Sequence, residues 1–212
     1  MKFKKNFVWL LLLLIAWITF DLLISPKHSL RHFDPVAVGQ LDAGMWRSYY
    51  ERRRGRLFLQ LSKLMREQFH APFWRSYIMA YQAAKAATVF QDGRNRDEYA
   101  HALPFLEKYF SQINALSEES FEVKVVAKNE LEWWIIRREP EHTSADWEQV
   151  LAEVSAAMYH EPVEKFAGYA RLRVEAMLLR DSLGTAITEP DWLEISRLCR
   201  ESWRSLHNSV ND

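Results

Sequence analysis

Three Glu-x-x-His spacings are the first features of this sequence whose residue types could support chemistry. They are Glu67 with His70, Glu98 with His101, and Glu139 with His142. On a helix this spacing places a carboxylate and an imidazole on one face, and two such pairs with two more glutamates build a di-iron site. Such ligands lie in mid-helix among apolar neighbours. The third pair contains a proline and another proline closely follows the first, so a metal protein is only a further alternative, and we expect no cofactor.

A set of arginines beside tryptophans is the second candidate. The set is Arg137, Arg138, Arg171, Arg173 and Arg180. Guanidinium groups suit carboxylate and phosphate ligands because their planar fork donates two parallel hydrogen bonds. Under this interpretation Arg137, Arg171 and Arg180, with Trp133, bind an anionic ligand or a lipid headgroup. The competing interpretation is an interhelical ion-pair network with nearby acidic residues, since buried arginines need such partners.

Other chemical classes have little support in the sequence. There is no Ser-His-Asp order, glycine-rich phosphate loop or HExxH motif, so we lean against an enzyme. Lys and Arg together number 28, as do Asp and Glu, so no net field favours nucleic acid. A single cysteine, Cys199, excludes an internal disulfide. The arginines at positions 52–56 are either a solvated face paired with Glu51 or, in a cytoplasmic domain, a contact with anionic lipid.

An apolar run precedes all of these residues. It covers residues 7–24, beginning at Phe7 and ending at Ile24, which is close to the minimum length for crossing a bilayer core of ~30 Å. Three lysines, at positions 2, 4 and 5, come before it and favour a cytoplasmic N-terminus. A signal peptide has the same layout, but no small-x-small cleavage site follows directly. Asp21 is expected near the far membrane interface, where a carboxylate reaches the headgroups at small cost; the alternative is an intramembrane proton or partner site.

The rest of the chain has helical periodicity and predicts an all-α domain. The helices are expected at about 41–69, 73–90, 97–116, 118–138, 144–159, 162–183 and 189–208, with either a kink at Pro104 or a start nearer Ala102. The expected organisation is a cytoplasmic start and anchor over 1–25, a tether over 26–40 and about seven antiparallel helices over 41–212.

A weak internal repeat suggests how these helices are arranged. Residues 131–137 align with 174–180, and after a loop Thr143 and Asp146 align with Thr188 and Asp191. In each T-x-x-D-W the threonine and aspartate can form a capping box at a helix start. The repeat predicts stacked helical hairpins, although the tetratricopeptide consensus is absent. The competing interpretation is that any two capped amphipathic helices look alike.

Together these observations predict a non-catalytic, single-pass protein of a bacterial-type inner membrane, with a cytoplasmic N-terminus and a periplasmic domain. Under the first hypothesis its hairpin domain binds another protein as a scaffold, using exposed tryptophans such as Trp133 or Trp203. The alternatives are the anionic-ligand pocket and the metal protein described above. Neither the partner nor the biological process follows from the sequence.

Overall fold

A computed structural model describes residues 2–23 and 26–212, with side chains of the first helix from Asn6 onward. Its helices are α1 (Lys2–Leu23), α2 (Pro35–Tyr50), α3 (Arg54–Phe69), α4 (Phe73–Asp92), α5 (Arg96–Ala100), α6 (Leu103–Leu116), α7 (Val123–Ile136), α8 (Ser144–Tyr159), α9 (Ala167–Leu183) and α10 (Glu189–Asn211). Short 3-10 segments lie at Val163–Phe166 and Gly184–Ala186. These described residues contain no β-strand, which confirms the all-α prediction.

Eight of these helices form a closed ring. In the order α2, α3, α4, α6, α7, α8, α9 and α10, each packs against the next, and α10 packs against α2. Short connections make consecutive helices antiparallel, so the C-terminal ends of α2, α4, α7 and α9 share one end of the ring, here called the upper end. The expected hairpins are present as consecutive pairs, but they do not form an open stack, because α10 meets α2 along its length.

The expected helix over 41–69 is broken in the structure. The chain leaves α2 at Glu51 and enters α3 at Arg54, and Arg52 between them has a left-handed backbone with φ 54°. The Arg53 N–H donates to the Ser48 carbonyl at 2.8 Å, which satisfies the end of α2. Reversal here lets α3 pack against α2. No glycine or proline lies between Tyr50 and Arg54, so the sequence carried no turn signal.

Pro104 separates two helices rather than kinking one. α6 begins after Ala102, which is its N-cap, and the proline falls in the first turn, where its missing N–H costs nothing. Of the two alternatives at this position, a start near Ala102 is confirmed. The preceding residues form the separate short helix α5.

The segment expected as a tether over 26–40 packs on the ring. Leu30 and Phe33 are buried, and α2 already begins at Pro35 with Asp34 as its N-cap. The His28 N–H donates to the Leu116 carbonyl at 2.8 Å, and the Glu118 N–H donates to the His28 carbonyl at 3.0 Å. These two hydrogen bonds keep the backbone that follows α6 in a non-helical conformation. For this reason α7 begins at Val123 rather than at residue 118. The expected boundary between anchor and tether, at residues 24–25, lies outside the described residues.

One helix in the described ranges, over Asn6–Leu23 in α1, is long and apolar enough to span a membrane. Leu10, Leu13 and Phe20 are each more than 60% exposed, so the ring does not bury this helix. Its end does dock on the ring. Asp21 is buried and accepts the backbone N–H groups of Trp74 at 2.9 Å and Arg75 at 3.1 Å. These are N–H groups that a helix start leaves unpaired, so Asp21 caps α4, which has no side-chain cap of its own.

Candidate functional site

The ring encloses a cavity of about 520 Å³, lined by residues from all eight of its helices. Small-molecule sites typically occupy about 300–1,000 Å³ and are lined mainly by apolar and aromatic side chains with a few polar groups. The lining has this character. Its aromatic members include Trp46, Tyr49, Tyr109, Trp133, Trp134 and Tyr169. Several of them are only half-buried although they point inward, because their remaining surface faces the cavity.

The cavity opens at the upper end of the ring. Two charged lining residues, Arg138 and Asp181, are exposed there, at the C-terminal ends of α7 and α9. At the opposite end the lining residues Phe69, Tyr159 and Leu206 are buried and close the floor. α1 docks at this closed end, at the start of α4. The 16 residues of α3 separate the two ends by roughly 24 Å at 1.5 Å per residue.

Glu130 is the third acidic residue of this lining, besides Asp42 and Asp181. It is on α7, one turn before the two tryptophans, and the Trp134 indole N–H donates to its carboxylate at 3.0 Å. Burial raises the pKa of Glu130, and the neighbouring Trp133, Trp134 and Arg173 oppose that shift. Within the described part of the chain, Glu130 makes no salt bridge. The Trp133 indole N–H is also buried and has no acceptor in hydrogen-bonding geometry there.

A buried ion pair crosses the wall beside Glu130. Asp42 on α2 accepts from the Arg173 guanidinium on α9, and it also accepts the Trp203 indole N–H on α10 at 2.9 Å. Arg173 lies over the rings of Trp46 at 5.2 Å and Trp203 at 5.9 Å. Burial alone would lower the pKa of Arg173, but the Asp42 charge raises it, so the guanidinium keeps its charge. Through these two contacts Asp42 joins α9 and α10, the last helices of the ring, to α2, the first.

A second ion pair lies at the opening. Arg137 donates to Asp181 at 2.6 Å and to the Tyr50 hydroxyl at 2.7 Å. Arg180 lies over the Tyr50 ring with its guanidinium carbon 3.8 Å from the centroid. The weak repeat had made Arg137 and Arg180 equivalent, and the structure places both on one tyrosine. The Arg137 Nε has no partner among the described residues.

Of the four ligand residues predicted from the sequence, three lie at the cavity or its edge and one does not. Trp133 and Arg137 line the cavity, and Arg180 contacts Tyr50 at its edge. Arg171 is exposed at the start of α9 and does not line the cavity.

The predicted metal ligands do not come together. Glu67 and His70 lie at the end of α3, where the His70 ring Nε2 donates a hydrogen bond to the His32 carbonyl at 2.7 Å. Glu98 and His101 lie with α5, at the opposite end of the ring, where Asn95 caps the helix and its side-chain amide donates to the Glu98 carboxylate at 3.0 Å. Within the described residues, the one group able to share an ion is Glu139, Glu141 and His142. Its Glu139 already accepts from Arg96 at 2.6 Å.

Three residues of the site, Glu130, Asp42 and Tyr50, were not predicted from the sequence. A signal for the two carboxylates was present, because each interrupts an apolar helical face at three- and four-residue spacing. Glu130 follows Val126 and precedes Trp133, and Asp42 follows Val38 and precedes Met45. A carboxylate on such a face must find a partner in the interior.

Comparison of the chain with protein-family models, with curated proteins and with solved structures finds no match.

Proposed function

We propose that this chain is a membrane-anchored, non-catalytic binding protein whose helical ring takes a small, largely apolar molecule into its cavity. The observation that carries the proposal is the aromatic-lined cavity of about 520 Å³ enclosed by all eight ring helices. Helix rings of this size could fill their centre with side chains, as most protein interiors do. Here the side chains leave room for a ligand and expose aromatic surface to it.

The cavity supports a small molecule better than a protein partner. The scaffold hypothesis offered Trp133 or Trp203 as exposed contact residues on a concave surface. Trp203 is buried beneath Asp42, and Trp133 faces the interior of the ring. Neither tryptophan can therefore serve as the contact residue of a protein interface without opening the ring.

The same geometry favours an apolar body over an anionic ligand. The guanidinium of Arg173 is paired with Asp42, and that of Arg137 with Asp181. An anion would compete with carboxylates already held in good geometry, and breaking a buried pair is costly. The aromatic rings, in contrast, offer broad surface for apolar contact.

The anchor and its docking support a position at the membrane surface. The end of α1 is held against α4 by Asp21 and by Trp17, which lies 5.8 Å from Phe73 and 5.6 Å from Trp74. Tryptophans concentrate at membrane interfaces. The closed floor of the ring therefore faces the membrane, and the opening faces the aqueous compartment, from which the ligand enters.

For the compartment we propose a bacterial-type inner membrane with the N-terminus in the cytoplasm and the ring in the periplasm. The lysines at positions 2, 4 and 5 support this orientation. A compartment-sensitive reporter fused after Asp212 tests it. Periplasmic activity is expected, and cytoplasmic activity would reverse the orientation.

Calorimetric titration of octanol into the full chain in lipid nanodiscs tests the binding function. Ala87 lines the cavity on α4, so Ala87→Phe fills part of it. Ala145 is exposed at the start of α8, and Ala145→Phe is the matched control. We expect saturable octanol binding in the wild type and in A145F, and at least about tenfold weaker binding in A87F. Equal binding in A87F and A145F, with both variants folded, would place the octanol outside the cavity and refute the proposal.

A further inference from the structure

We propose that the cavity ligand carries a protonated amine, and that Glu130 binds this group. The inference rests on the proposed binding function and adds the chemical class of the ligand: a cationic amphiphile, with an apolar body and an ammonium group. Four features of the site lead to it.

The first is the balance of charges in the lining. Three carboxylates line the cavity, on Asp42, Glu130 and Asp181. Asp42 forms an ion pair with Arg173, and Asp181 forms an ion pair with Arg137. Glu130 makes no ion pair among the described residues, so it is the one carboxylate of this lining without a salt-bridge partner there. A ligand cation supplies the partner that a buried carboxylate needs.

The second is the position of the remaining basic residue. Arg138 lines the opening, but its guanidinium donates to the Phe90 carbonyl at 3.1 Å and lies 4.1 Å from the centroid of the Phe90 ring. Arg138 is therefore held against Phe90 at the solvent-exposed opening and does not pair with Glu130. The interior of the cavity carries a negative charge when Glu130 is ionised.

The third is the aromatic surroundings of the carboxylate. Trp133 and Trp134 follow Glu130 on α7, with ring centroids 6.1 Å apart and planes nearly perpendicular. Tyr109 and Trp46 line the same cavity. Ammonium groups are attracted to the faces of such rings, most strongly to tryptophan and more so when desolvated. A carboxylate among indole rings is thus suited to a cation rather than to a second anion.

The fourth is the fixed orientation of Glu130. The Trp134 indole N–H holds one carboxylate oxygen at 3.0 Å from within the same helix. A group held in place by its own helix does not have to be ordered when the ligand binds, which lowers the entropic cost of binding. The apolar part of the ligand then extends along the aliphatic wall, which includes Leu61 and Met177.

The test compares three probes that share one chain and differ in their end group: octylamine, octanol and octanoate. Each is titrated calorimetrically into the full chain in nanodiscs, and nanodiscs holding the Ala87→Phe variant correct for partition into lipid. We expect octylamine to bind at least about tenfold more tightly than octanol, and octanoate to bind most weakly.

The matched variant is Glu130→Gln, which keeps the size of the side chain and removes its charge. We expect E130Q to lose about tenfold in octylamine affinity, so that the wild-type preference for octylamine over octanol disappears, and its thermal unfolding shows that it is folded. Equal binding of amine and alcohol, or tightest binding of octanoate, would overturn the inference and leave the binding function standing. Failure of all three probes to bind would overturn both.

Discussion

Replacing Asp42 by asparagine removes the counterion of Arg173 with almost no change in shape. Asp42 is 3% exposed and joins α2 to α9 through Arg173 and to α10 through Trp203. Asparagine can still accept the indole N–H through its carbonyl. The guanidinium, however, stays desolvated among aromatic rings without a counterion, and removing one partner of a buried pair costs about 3–5 kcal/mol.

We expect Asp42→Asn to lower the free energy of unfolding by about 3 kcal/mol, the lower end of that range, because one hydrogen bond is kept. With a urea dependence of ~2 kcal/mol per molar, the midpoint of unfolding moves down by about 1.5 M. The assay is urea unfolding of the full chain in detergent micelles, followed by far-ultraviolet circular dichroism. Total stabilities of about 5–15 kcal/mol leave room to measure such a loss.

The matched control is Glu189→Gln, which breaks an exposed carboxylate–arginine contact at 2.8 Å from Arg47, between α2 and α10, two of the three helices that Asp42 joins. We expect no measurable change, since exposed pairs contribute little. Joint replacement of Asp42 by leucine and Arg173 by methionine should recover most of the loss, because no charge is then left unpaired. If D42N and E189Q unfold at the same urea concentration, the pair does not hold the ring closed and the reasoning is wrong.

Three further predictions concern other parts of the chain. Asp21→Ala removes the cap of α4 and should cost about 1 kcal/mol in the same urea assay, whereas equal stability would mean that α1 does not dock on the ring. Because burial raises the pKa of Glu130, its ionisation opposes folding as pH rises past the ordinary glutamate value of about 4.3. Glu130→Gln should therefore be more stable than the wild type at pH 7, with the difference vanishing in acid; a difference independent of pH would contradict this. Cys199 is buried and its thiol pKa is raised by burial, so maleimide should label it only after unfolding; rapid labelling of the folded chain would contradict its burial.

Local patterns in the sequence predicted local structure well. Both capping boxes form as expected, with the Thr143 N–H and the Thr188 N–H each donating to the aspartate three residues on, at 2.7 Å. A capping box needs only residues within one turn, so the sequence contains all the information. The apolar run, the all-α class and the start of α6 near Ala102 are local in the same sense.

The cavity could not be predicted in this way because its contacts are distant in sequence. The hydrogen bond from Trp203 to Asp42 joins residues 161 positions apart, and Arg173 reaches the same carboxylate over 131 positions. No local pattern shows that α10 returns to α2. Without ring closure, Glu130 resembles any glutamate on a helix, and Trp133 resembles an exposed contact residue.

Photolabelling of the full chain in nanodiscs tests the central claim, that the ring interior is a ligand site, most directly. The probe is octylamine with a diazirine at the end of its chain, and mass spectrometry locates the residues it modifies. We predict adducts on cavity-lining residues such as Met45, Leu61 and Trp133, lost in the Ala87→Phe variant. Adducts confined to α1 or to exposed side chains such as Leu193 would contradict the account.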